Sequence, residues 1–119
     1  RVGGVGIGIR INSRRDPEGR EIPVPDCSGA FVIDMNYEAL CVHMPEHLGE
    51  GDLLDMELMT VKRRTGRPKV AACQGHVCRV LPDGRSGQAG YSVVVFYEPR
   101  TPLNRYLIDQ YFLHESVAS

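Results

Sequence analysis

Two short segments place a thiol and an imidazole on one face of an extended chain: Cys41-Val42-His43 and His76-Val77-Cys78. Side chains two residues apart on a strand point the same way. If the two strands were neighbours, four soft ligands would converge as in a structural zinc site, with Cys73 as a substitute. Structural zinc sites, however, pair their ligands by knuckle spacings such as Cys-x2-Cys, and the chain has none. Ordinary strand packing accounts for both pairs, and no metal is expected. The four cysteines, Cys27, Cys41, Cys73 and Cys78, sit in apolar, strand-like runs, where a free thiol behaves as a small hydrophobe. They are expected to be reduced and mostly buried, not paired as disulfides.

Other chemistry-bearing patterns are thinner. Lys62-Arg63-Arg64-Thr65-Gly66-Arg67-Pro68-Lys69 is a basic turn with Gly-Arg-Pro at its tip. Charges there discourage edge pairing at a hairpin, and a contact with phosphates or an acidic partner is the minority reading. The opening Gly3-Gly4-Val5-Gly6-Ile7-Gly8 superficially suggests a dinucleotide loop. Such a loop follows a strand and opens a helix, whereas this run leads into more strand and a polar turn. A nucleophile elbow, a phosphate-cradling Gly-x4-Gly-Lys loop and a His-Glu-x-x-His helix are all missing, so no catalytic constellation supports an enzyme.

These residues must be held by some frame, and the chain reads as a series of strands closed by one helix. At 119 residues, with 42% hydrophobic and 24% charged residues, it is the size and composition of one folded domain. The net charge of −1 gives no global field toward nucleic acid or anionic lipid. No apolar run is long enough to span a bilayer and no leader opens the chain, which points to a cytoplasmic domain. Its start at Arg suggests a piece of something longer. Strands are expected at about 5–11, on either side of a corner at Asn36–Glu38 within Ser28–Met44, and at Asp52–Val61, Val70–Leu81 and Tyr91–Tyr97. The polar stretch Asn12–Glu21 reads as a long turn. In the fourth run Leu54, Met56, Leu58 and Thr60 alternate with Leu53, Asp55, Glu57 and Met59. Six or so strands with short connections indicate a mostly β small antiparallel barrel or sandwich. At the end Thr101 can cap and Pro102 can open a helix to about His114, with Leu103, Tyr106, Leu107 and Tyr111 as its apolar stripe. Leu103, Leu107 and Tyr111 are expected to be buried against the barrel.

The central block, Val32-Ile33-Asp34-Met35-Asn36-Tyr37-Glu38-Ala39-Leu40-Cys41-Val42 followed by Leu48-Gly49-Glu50-Gly51-Asp52-Leu53-Leu54, resembles the PilZ domain family. In that family an Asp/Asn-x-Ser-x-x-Gly corner joins two strands and a Gly-Asp step leads into an alternating strand. The resemblance runs on through Gly75–Val80 and Gly90–Phe96 to the closing helix, as an order of elements more than of identities. It implies a six-stranded antiparallel β-barrel closed by a C-terminal α-helix. It also implies binding of the bacterial second messenger cyclic di-GMP by an Arg-x-x-x-Arg segment before the first strand and by the corner. Guanidinium groups suit such a ligand because they pair with phosphates in a fork geometry and stack on bases.

Carried onto this chain, the site would comprise Asp34 and Asn36 at the corner together with arginines. Arg1 stands where the second arginine of the segment belongs, and Arg10 with Arg14 has the same spacing. Asn36 replaces the expected Ser and Ala39 the expected Gly. The expected function is therefore that of a non-enzymatic bacterial signalling module of PilZ type that binds cyclic di-GMP weakly and regulates a protein partner. The alternative is a degenerate member that binds no nucleotide and acts through protein contacts. A nucleic-acid-binding barrel would want exposed aromatics beside its cations, and 7% aromatics with no Trp argue against it.

Overall fold

A computed structural model of the chain describes residues 6–60, 67–83 and 89–113. Six strands are formed: β1 (Ile7–Arg15), β2 (Phe31–Met35), β3 (Ala39–Met44), β4 (Leu53–Thr60), β5 (Val70–Pro82) and β6 (Tyr91–Pro99). They close into an antiparallel barrel in the order β1-β2-β3-β6-β5-β4. A short helix follows, α1 (Pro102–Leu107), whose ladder widens into a π-helical turn over Ile108–Leu113. No described helix is long and apolar enough to cross a membrane.

The barrel interior follows from the period of two. Leu54, Met56, Leu58 and Thr60 of β4 all point inward, as their alternation requires. Val32 and Met35 of β2, Leu40, Val42 and Met44 of β3, and Val93, Val95 and Tyr97 of β6 fill the same core. A Cβ added at Gly75 would lie 2.8 Å from Val95 Cγ1, so a glycine stands where the packing leaves no room for a side chain.

Strand β1 departs from expectation. The stretch read as a long polar turn continues as strand through Arg15, paired residue by residue with β4. A bulge between Ile11 and Ser13 shifts the register. The residues beyond it are polar because their partners are on β4: the Ser13 hydroxyl donates to Asp55 at 3.0 Å, and Arg14 reaches Asp52. The turn itself starts at Asp16, whose Oδ1 accepts the N–H groups of Glu18 and Arg20.

The closing helix starts as expected. The Thr101 side chain accepts the Asn104 N–H, and Pro102 occupies the first turn. Its buried face is another one. Leu103 is 65% exposed and Tyr106 is exposed, Leu107 and Tyr111 are half-buried, and the residues sealed in the core are Ile108, Phe112 and Leu113. The stripe assumed a continuous 3.6-residue period. The change to i→i+5 bonding after Leu107 rotates the second half of the helix and turns a different set of side chains inward. His114 lies outside the described residues.

Candidate corner site

The corner between β2 and β3 is a tight turn built by one side chain. The Asn36 amide oxygen accepts the N–H groups of Glu38 and Ala39, each at 2.9 Å, and the Asn36 N–H donates to the Ala39 carbonyl at 2.9 Å. This is the local mimicry of a backbone turn that Asn performs well. Asp34 sits beside a bulge in the β2–β3 pairing and is exposed, with Oδ1 accepting the N–H of its neighbour Met35 at 2.8 Å. Between them lies a shallow cleft of about 120 Å³ lined by Asp34, Asn36, Ala39, Cys41 and Val94.

Two residues that sequence reasoning did not assign to the corner support it from behind. The Tyr97 hydroxyl donates to the Asn36 carbonyl at 2.7 Å. The Arg105 guanidinium of α1 lies 5.8 Å from the centre of the exposed Tyr37 ring and pairs with Asp109 at 3.5 Å. Burial pushes the Tyr97 phenol up to about 12, with the Arg105 cation pulling the other way. Nothing in local spacing points to these contacts, because strand β6 and the helix reach the corner only through the barrel's topology.

The arginines are distributed differently from the corner. Arg10 and Arg14 both lie within β1. Arg10 forms an exposed ion pair with Glu57, its direct register partner on β4. Arg14 donates through Nε to buried Asp52 at 2.7 Å and through Nη1 to the Pro23 carbonyl at 3.1 Å. The antiparallel pair Gly8–Phe31 sets the direction. From that level Arg10 and Arg14 run one way along the sheet, and β2 runs the other way to the corner. At about 3.4 Å per residue, Arg10 and Asn36 are roughly 20 Å apart along the sheet. The structure therefore brings Asp34 and Asn36 together and places Arg10 and Arg14 away from them. Arg1 lies outside the described residues.

The thiol–imidazole pairs do not converge. Cys41 and His43 are on β3, His76 and Cys78 are on β5, and β6 runs between those strands. Cys41 Sγ lies 3.2 Å from the Ser92 hydroxyl, and His43 stacks on Phe31 with Nδ1 3.5 Å from Asp83. Among the described residues no group of three or more His, Cys, Asp or Glu is placed to hold a metal ion. All four cysteines are free, but only Cys73 is buried; Cys27 and Cys41 are half-buried and Cys78 is exposed. Ala71, Cys73, Gly75 and Val77 are the inward residues of β5, so alternation itself puts Cys78 on the outer face. The basic turn joins β4 to β5, closed by the Thr60 N–H donating to the Lys69 carbonyl at 3.0 Å; its residues 62–66 lie outside the described ones. The Lys69 ammonium rests 4.7 Å above the Tyr111 ring.

No protein-family model, no curated protein and no solved structure matches the chain significantly.

Proposed function

We propose that the chain is a non-enzymatic, cytoplasmic signalling module of the bacterial PilZ type, which binds cyclic di-GMP in the micromolar range at the Asp34–Ala39 corner and passes the signal to a protein partner. One observation carries the reading: β1 begins on the side of the barrel where β2 runs out to the corner. The start of β1 is thus on the corner's side of the barrel, and the PilZ resemblance would bring the arginine segment ahead of the first strand to Asp34 and Asn36. Weak affinity follows from the corner's chemistry. Its amide oxygen already accepts two backbone N–H groups, and Ala39 adds a Cβ where the family has Gly.

The second reading is a degenerate module that has lost the nucleotide and works through protein contacts alone. It is favoured by the engagement of the other candidates, since Arg10 and Arg14 each hold a carboxylate partner within the barrel.

Calorimetry with cyclic di-GMP separates the two. Micromolar binding that Arg1→Ala and Asp34→Ala each weaken, and that Arg10→Ala leaves unchanged, supports the receptor. Loss of one charged hydrogen-bond partner costs about 1.5–3 kcal/mol, or roughly tenfold to a hundredfold in affinity. No heat at high ligand concentration, on a chain extended upstream of Arg1, leaves the degenerate module.

A further inference from the structure

Two clefts on the outside of the barrel share Leu53, Gln74 and Gly75 and so join into one groove across β1, β4, β5 and β6. Its middle is a cross-strand row in direct register: Arg15 opposite Leu53, Leu53 opposite His76, His76 opposite Phe96. Leu53 and Phe96 are 45% and 48% exposed, apolar side chains on a surface that alternation would otherwise give to polar ones. Because the barrel is closed, no described strand offers an edge here, and any partner must be met by side chains.

The ends of the groove carry opposite charges. Arg15 lies at the β1 end and Glu98 at the β6 end, both exposed. Among the described residues neither takes part in an ion pair, whereas their neighbours Asp55 and Glu57 are held by Arg100 and Arg10. A patch that is cationic at one end, apolar in the middle and anionic at the other is complementary to itself after a half-turn.

We propose that this groove is the two-fold contact of a homodimer of this chain. With the axis between β4 and β5, the half-turn lays β6 of one copy over β1 of the other and β5 over β4. Arg15 of each copy then faces the Glu98 end of the other, and Leu53 and Phe96 of both copies lie within the covered area. The geometry is isologous, so every favourable contact is made in duplicate, and apolar burial at the centre is ringed by the two charge pairs. The proposal does not rest on nucleotide binding, which the calorimetry above tests separately.

The experiment is sedimentation equilibrium of the whole chain and of Phe96→Glu, Arg15→Glu, Glu98→Arg and the double Arg15→Glu/Glu98→Arg, with circular dichroism to confirm that each is folded. The altered side chains all point outward, so the barrel core is untouched. The expected result is a wild-type monomer–dimer equilibrium, abolished by Phe96→Glu. Each single charge reversal weakens it by about tenfold or more, because like charges then face each other twice. The double variant regains most of the loss. A wild-type chain that stays monomeric at high concentration overturns the proposal. So does a dimer indifferent to Phe96→Glu, or a double variant no better than either single one.

Discussion

Arg14 Nε and the Gly49 backbone N–H donate to the same oxygen of Asp52, at 2.7 and 2.9 Å. One buried carboxylate thus ties β1 to the turn that leads into β4, and the Asp52 backbone adds a bond from the Val77 N–H at 2.9 Å. Asp52→Ala would leave the Arg14 guanidinium, with 16% of its side chain exposed, without its carboxylate and with the Pro23 carbonyl as its remaining acceptor. We expect a loss of about 3 kcal/mol, the lower end for breaking a buried pair, read as a lower urea midpoint at unchanged slope. Arg10→Ala, by contrast, removes an exposed pair and should change stability by less than about 1 kcal/mol.

The same turn contains Gly51, at φ +90, with Pro17 Cγ 2.9 Å from where a Cβ would stand. Gly51→Ala combines a left-handed backbone with a clash and should destabilise by roughly 1–3 kcal/mol. Gly19 has a similar φ of +88 but open space around it, so Gly19→Ala should cost less in the same denaturation experiment.

The closing helix gives a paired test. Phe112 is fully buried, and Phe112→Ala should cost about 3–5 kcal/mol. Leu103→Ala, on the face that the 3.6-residue stripe would have buried, should fall within about 0.5 kcal/mol of wild type. Thermal melts of the two variants that come out alike would contradict the helix face described above.

Burial raises the Cys73 thiol to about 12 from an ordinary 9.0, and the Tyr97 phenol to about 12 from 10.0. Both folded-state values lie above the unfolded ones, so the native state holds protons that the unfolded chain releases. The stability linked to them is complete below about pH 9 and is lost as pH rises from there toward 12. Urea midpoints measured across that range should fall steadily. Cys73→Ala should flatten the lower part of the decline, and Tyr97→Phe the upper part. Alkylation at neutral pH should label Cys78 first and Cys73 last, with all four thiols reacting after unfolding.

Much of this architecture could be read from residue order because the relevant signals are local. Alternation in Leu53–Thr60 gives the inner face of β4, the break at Asn36–Glu38 marks the corner, and Thr101-Pro102 marks the helix start. What escaped is what depends on partners. Asn12–Arg15 looks like loop because its polarity makes sense only beside Asp52 and Asp55. Whether the two Cys/His pairs meet could not be read from spacing, because alternation along a strand says nothing about which strands are neighbours. The helix face was missed because a change of helical period carries no signature in spacing. At the corner, Asn36 was legible as a turn residue, whereas Tyr97 and Arg105 reach it from the far end of the chain.

The pairing of β1 with β4 has a kinetic consequence. Ile7 is aligned with Thr60, so the first strand of the barrel has its principal partner dozens of residues further along the chain and cannot complete its pairing until that partner is in place. The hairpins β2–β3, β4–β5 and β5–β6 close over short connections, but the seam involving β1 must form late and against a large loop-closure entropy. Refolding should therefore run in milliseconds to seconds, not microseconds, as for other proteins dominated by non-local pairing. Until β1 arrives, Leu54, Met56 and Leu58 lie along an open sheet margin, and that interval is when this chain is most exposed to aggregation.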